Sequence, residues 1–261
     1  MNKALLLAAC GVTLTAGLAN AATTVDWDDE GTGSLWATPA NWSNDTAPDD
    51  GDTITIAFGE TAEIDFSNTN AMPDGGSLTL GGTLVNNRFN VNVDTFTVES
   101  TANIEFTSGN AFVNFNDASI TWNDGATVEE DDGSGGKLDF GTSTQTFVFG
   151  AAGWTNSFNV QSITGFTVSS STTLLVDLSD YEGPAGATYT IITTTNLSQN
   201  VITAANIADF NTNSATNGTW GWDTSVNTNG NLTFTVIPEP SSYALIAGLL
   251  GLTWVMVRRR A

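Results

Sequence analysis

Between residues 54 and 178 apolar and polar side chains alternate in short runs. They include Ile54-Thr-Ile-Ala-Phe58, Glu63-Ile-Asp-Phe66, Ser77-Leu-Thr-Leu80, Phe89-Asn-Val-Asn-Val93, Thr95-Phe-Thr-Val98 and Asn103-Ile-Glu-Phe106. The pattern continues through Ile120-Thr-Trp122, Lys137-Leu-Asp-Phe140, Thr146-Phe-Val-Phe149, Gly165-Phe-Thr-Val168 and Thr173-Leu-Leu-Val-Asp-Leu178. A period of two bounded by Gly, Asn and Asp predicts strands with one buried face, joined by tight turns. The runs are short and recur every six to twelve residues or so, which suits a β-solenoid or parallel β-helix better than the longer strands of a β-sandwich or jelly roll. No strict repeat period accompanies them, so the sandwich stays as the alternative.

After residue 182 the pattern changes. Thr188-Tyr-Thr-Ile-Ile192, Gly218-Thr-Trp-Gly-Trp222 and Asn231-Leu-Thr-Phe-Thr-Val236 read as longer strands, an antiparallel cap over the open end of the stack. Between them Thr203-Ala-Ala-Asn-Ile-Ala-Asp-Phe210 predicts one or two helical turns at most. The start of the body, residues 22–53, carries Trp27, Trp36 and Trp42 among Asp, Pro and Gly, and reads as a cap for the other end. It is similar to the N-terminal cap of exported bacterial proteins built from autotransporter-like β-strand repeats. Trp220-Gly-Trp222 and Asn229-Gly-Asn231 match the way such chains close. The resemblance implies a passenger-like β stack and brings no catalytic residues.

The two ends of the chain read as addresses. Lys3, an apolar stretch from Ala4 to Leu18 and the small-x-small pattern Ala19-Asn20-Ala21 predict a signal peptide over 1–21, cleaved by signal peptidase after delivery to the general secretion machinery. Leu7-Ala-Ala-Cys10 has a lipobox-like pattern, but too little apolar sequence precedes the cysteine. In the tail, 238–261, Pro238-Glu239-Pro240 precedes an uncharged run from Tyr243 to Val257 and then Arg258, Arg259 and Arg260. As a helix, residues 241–257 span about 26 Å, close to the ~30 Å hydrocarbon core. Trp254 and the arginines are placed as interfacial anchor and cytoplasmic stop, so a single transmembrane helix is expected. These three elements in this order resemble the PEP-CTERM sorting tail of Gram-negative surface proteins. That resemblance implies recognition and processing by an exosortase-type membrane protease, with the mature protein at the cell envelope, the cell surface or beyond.

Composition narrows what the body, 22–237, does. Of six basic residues only Arg88 and Lys137 fall within it, against 27 of the 28 acidic ones, a net charge of −25. Such a surface repels nucleic acid and anionic lipid. There is no histidine, and Cys10 lies in the signal region, so disulfides, thiolate nucleophiles, histidine bases and zinc sites of the usual kind are excluded. Lys137 is the body's only lysine, and acidic neighbours raise rather than lower an amine's pKa, so no Lys base or nucleophile is expected.

Two acidic groups, Asp45, Asp49, Asp50 and Asp52, and Asp124, Glu129 to Asp132 and Asp139, offer the hard oxygen ligands that suit Ca²⁺. Neither follows the EF-hand order, and solvated turns are the simpler expectation. The tryptophans offer faces for stacking on sugar rings, although Trp27, Trp36, Trp42 and Trp122 sit where a cap or core needs them. A carboxylate pair would suffice for a glycosidase, but no motif singles one out. Asn41, Asn44, Asn196, Asn217 and Asn231 head N-x-S/T sequons. No catalytic, cofactor or metal residue is therefore assigned. The expected function is a structural or adhesive surface or matrix protein, in contact with exopolysaccharide; the alternative is a glycan-binding module or glycan hydrolase delivered by the same tail.

Overall fold

The computed structural model describes residues 22–64, 73–86, 89–107, 112–115, 117–130, 137–160, 166–168, 171–194, 204–213, 217–225, 230–237 and 240–258. Within them the body is an all-β, β-helix-like stack. Its first face joins β1 (Thr24–Asp26), β2 (Thr53–Ile56), β4 (Ser77–Leu80), β7 (Thr95–Val98), β10 (Ser119–Asn123), β13 (Thr144–Val148) and β16 (Thr173–Asp177) in that order, all parallel. The second face stacks β3 (Thr61–Ile64), β5 (Thr83–Asn86), β8 (Asn103–Phe106) and β11 (Thr127–Glu130). The third stacks β6 (Phe89–Val91), β9 (Phe112–Phe115), β12 (Lys137–Asp139) and β15 (Phe166–Thr167). The coils β4–β5–β6, β7–β8–β9 and β10–β11–β12 visit the three faces in turn before the chain climbs one rung. Parallel pairing between strands one coil apart excludes the antiparallel sandwich.

Alternation becomes burial in a direct way. On the first face Ile54, Leu78, Phe96, Ile120 and Leu174 form one inward column and Ile56, Leu80, Val98, Trp122 and Phe147 the next, all within 1% of full burial. The second and third faces answer with Ile64, Leu84, Ile104, Phe106 and Val128, and with Val91, Val113, Phe115 and Leu138. Coil length, however, varies. Ser77 stands opposite Thr95, 18 residues on, whereas Thr144 stands opposite Thr173, 29 residues on. The faces stay in register because the extra residues lie in the corners, which is why no repeat period shows in the sequence.

The corners impose their own chemistry. Gly76, just before β4, has φ of +71°, and a Cβ there would overlap the carbonyl oxygen of Asp52 on the coil below. Only glycine satisfies both conditions.

The N-terminal segment is more than a cap, since β1 supplies the first rung of the first face. Behind it Trp42 meets Trp27 and Trp36 edge-to-face at 4.9 and 4.7 Å between ring centroids. Trp42 donates its indole N–H to Trp36 O at 2.8 Å. Asn41 is fully buried, accepting from Gly31 N–H and donating to the carbonyls of Gly33 and Leu35, so no polar group of its side chain is wasted.

At the other end β17 (Thr188–Thr194), β19 (Asn231–Val236) and β18 (Gly218–Asp223) form the antiparallel meander expected of a cap. It is grafted on the stack through β14 (Phe158–Val160), which lies beside β11 and pairs in parallel with β17. Trp220 and Phe234 close the aromatic core against Phe147 and Phe149. The short helix is longer than its sequence predicts: α1 runs Ala204–Asn213, ten residues. Tertiary contacts hold the added turn. Phe210 is buried, and the Asn211 side chain accepts from Trp220 N–H at 2.7 Å and donates to Trp220 O at 3.1 Å.

The tail contains α2 (Pro240–Arg258), whose start at a proline suits the first helical position, where no backbone donor is needed. Leu249, Leu250, Leu252, Trp254, Val255 and Met256 are all exposed. Among the described residues no helix is long and apolar enough to cross a membrane.

Candidate functional site

The sorting residues fall largely outside the described residues. Ala19, Ala21, Pro238, Glu239, Arg259 and Arg260 lie outside them, as do Lys3, Arg88 and the sequon at Asn196. Of the expected membrane segment, Tyr243 to Val257, the backbone is helical and the described side chains are exposed. Arg258 folds its guanidinium over the Trp254 ring, 4.7 Å from the centroid, a cation–π pair one helical turn apart.

The tryptophans are spoken for. Trp27, Trp36, Trp42, Trp122, Trp154 and Trp220 are at most 5% exposed and Trp222 packs half-buried against the core, which leaves Trp254 in the tail as the one fully presented indole. Among the body's tryptophans only Trp222 keeps a partly exposed ring.

The acidic loops do not converge, and among the described residues no group of three or more carboxylates is placed to hold a metal ion. Asp52 turns inward instead. Its Oδ1 accepts from the N–H and hydroxyl of Thr23 at 2.8 and 2.9 Å, and its Oδ2 accepts from Asp49 N–H at 2.9 Å. Burial pushes its pKa up, but the three hydrogen bonds outweigh it and hold the carboxyl below its ordinary 3.8. This clasp ties the start of β1 to the corner before β2.

Replacing Asp52 by alanine strands two backbone donors and is expected to cost about 1–3 kcal/mol in a urea melt. A folded-state pKa below the unfolded one means that the stabilisation is present above about pH 4 and lost as pH falls through the lower folded value. The wild-type urea midpoint should therefore drop more steeply in that window than that of Asp52→Asn; equal slopes would remove the clasp from the acid response.

The second acidic group is likewise divided among separate tasks. Asp124 Oδ1 accepts from the N–H and hydroxyl of Thr155 at 2.6 and 2.8 Å, and Asp139 Oδ1 accepts from Gly141 N–H at 3.0 Å. Glu129 points to solvent from β11, while Asp131 and Asp132 lie outside the described residues. Beside Asp124 is an open depression of about 270 Å³, lined by Glu99, Ser100, Asn123, Asp124, Val148, Phe149, Gly150 and Asp180. Asn123 Nδ2 donates across it to Glu99 Oε2 at 3.3 Å. Of the sequon asparagines, Asn41 and Asn231 are buried and closed to modification in the folded state, whereas Asn44 is exposed.

Two features escaped the sequence reading. Gln145 occupies an inward slot of the first face, fully buried, where it accepts the Trp122 indole N–H at 2.6 Å and donates to Ser143 Oγ at 2.6 Å. Ser143 passes the chain on to Phe140 O. Nothing flags Gln145 except its place in a Thr-Gln-Thr alternation. The other is Tyr181, whose hydroxyl donates to Pro184 O at 2.8 Å and meets the Tyr189 hydroxyl at 3.0 Å. Burial and then the bond to Tyr189 push its pKa up to about 12, and the hydroxyl pair latches stack to cap.

The outward sides of the faces differ in kind. On the first face the positions between the core columns read Thr53, Ser77, Thr95, Ser119, Thr144 and Thr173 in one register line and Thr55, Thr79, Thr97, Thr121 and Thr146 in the next. On the second face Glu105 stands directly opposite Glu129, and on the third Asn90, Asn114 and Asp139 share a line.

No protein family model matches the chain, and no match was found among curated proteins or solved structures.

Proposed function

We propose that this chain is an exported structural or adhesive component of a bacterial envelope or extracellular matrix, delivered by a PEP-CTERM tail and without catalysis of its own. The observation that carries the reading is the tail's composition: Pro238-Glu239-Pro240, an uncharged run and three arginines, attached to an acidic β-helical body. The helix α2, with its described apolar side chains exposed, supports an anchoring role: the body does not cover them, so hydrocarbon is the environment that suits them. The Arg258–Trp254 pair fits the interface at the end of such a span.

A stack with most of its tryptophans buried and with Asp52 and Asp124 bonded across to neighbouring segments supports a scaffold rather than an enzyme. The glycan-binding alternative keeps one partly exposed indole in the body, Trp222. In this reading an exosortase-type protease cuts near the proline motif, signal peptidase cuts near Ala21, and the mature body contacts exopolysaccharide at the surface. Intact mass of the protein recovered from its native host tests this. A species beginning near Ala22 and lacking the segment from 241 onward is expected; a mass that retains both ends overturns the reading.

A further inference from the structure

We propose that the outward hydroxyl face of the seven-stranded sheet binds ice. The two lines of threonine and serine on this face form an array spaced by the backbone. Neighbouring coils are about 4.8 Å apart, and alternate residues along a strand about 6.6 Å apart. These two distances lie near the two oxygen repeats on the prism face of hexagonal ice. Register is unbroken from β2 to β16, so one hydroxyl line stays in phase over six rungs and the other over five, ending where Leu175 stands opposite Thr146. Threonine is stiff at χ1, and each residue presents a methyl beside a hydroxyl, which orders first-layer water at little further entropic cost.

Three observations separate this face from an ordinary solvated sheet. It carries no charged side chain in these two lines from β2 to β16, although the body around it has a net charge of −25. Thr53, Thr95 and Ser119 are exposed and the other hydroxyl positions partly so. Among the described residues no protein group hydrogen-bonds the hydroxyls of Thr55, Thr79, Thr97, Thr121 or Thr146, whereas on the second face Thr127 Oγ1 is tied to Asn103 at 2.9 Å.

Competing occupants fit less well. A second copy of a body this acidic would be repelled, and the face offers too little apolar surface to offset that. A crystalline polysaccharide is gripped by aromatic stacking, and the body's indoles are buried or packed against the core. A lattice of neutral water needs neither aromatic ring nor charge.

The test uses the protein purified from its host, in an ice-shaping and thermal-hysteresis measurement. Faceted crystals and a hysteresis gap are expected for the wild type. Thr97→Tyr and Thr121→Tyr, in the middle of the array, should each abolish most of the gap, while Asn114→Tyr on the third face leaves it intact. Circular dichroism of all three variants confirms that the fold is kept, and the conservative Thr97→Ser should retain part of the activity. Round, freely growing crystals with the wild type overturn the proposal, as does equal loss from Asn114→Tyr. Two further results reassign the face: retention on microcrystalline cellulose blocked by Thr97→Tyr, or a dimer in sedimentation that Thr97→Tyr breaks.

Discussion

Replacing Pro238, Glu239 and Pro240 together by alanine is expected to leave a full-length precursor in the membrane fraction and to empty the surface of mature protein. The argument is conformational as well as chemical. Two prolines fix φ, and the residue before each is pushed to an extended conformation, so the segment ahead of α2 resists helix and stays presentable to a protease. Alanine is the best helix former, and three of them would let α2 propagate upstream through the cleavage region. Glu239 adds the only acidic side chain of the tail, and its loss removes the one anionic handle a recognition site could use. The effect should approach all-or-none, because a chain that is not cut keeps its anchor. Glu239→Gln alone separates the two contributions: it keeps both prolines and tests the charge. Unchanged mature mass and unchanged surface delivery in the triple variant would remove the sorting function from this motif.

The stack could be read from the sequence because burial here follows a single rule. Ile54, Leu78 and Phe96 are core residues for the same reason, alternation on a face that is wet on one side only, and that signal is local. Which strands pair was not local. Coils of 18 and 29 residues keep the same register only because Gly76 and its like turn the chain between faces, and spacing alone does not reveal a register that is set in three dimensions. The same limit hid β1. Three residues, Thr24 to Asp26, carry too short a pattern to announce a strand, and they become one only because β2 offers an open edge.

The candidate chemistry failed in the sequence for a different reason. Acidic residues are so common that clusters arise by composition, and what decides their use is the direction of each side chain. Asp52 and Asp124 look like neighbours of other carboxylates in sequence, yet each is turned to donors of a segment distant in sequence, Thr23 and Thr155. The hydroxyl array was hidden in the opposite way. Threonine at alternate positions is ordinary strand composition, and only the parallel register converts it into two lines on one plane.

Trp122→Ala is expected to be the most destabilising single substitution in the stack, because Trp122 joins the coils twice over. Its ring lies between rungs, 4.7 Å from Phe158, 5.9 Å from Phe115 and 6.5 Å from Phe96, and it stands in register with Phe147 on the next coil. Truncation opens a cavity among aromatic neighbours that a hydrogen-bonded ladder prevents from collapsing, a loss of about 3–5 kcal/mol. It also strands the buried Gln145 Oε1, which now accepts the indole N–H at 2.6 Å, at a further cost of about 1–3 kcal/mol. For a fold whose total stability is on the order of 5–15 kcal/mol, the sum leaves the coils near unfolding. Phenylalanine separates the two losses. Trp122→Phe keeps most of the ring contacts and drops the donor, and Gln145→Leu drops the acceptor and leaves the indole N–H unpaired. If the hydrogen bond matters as described, each single change is costly and the double variant is less destabilised than the sum of the two. Urea midpoints of the four proteins measure this directly. Strict additivity would show that Gln145 merely fills space, and a Trp122→Ala protein as stable as wild type would mean that the stack closes without the ring.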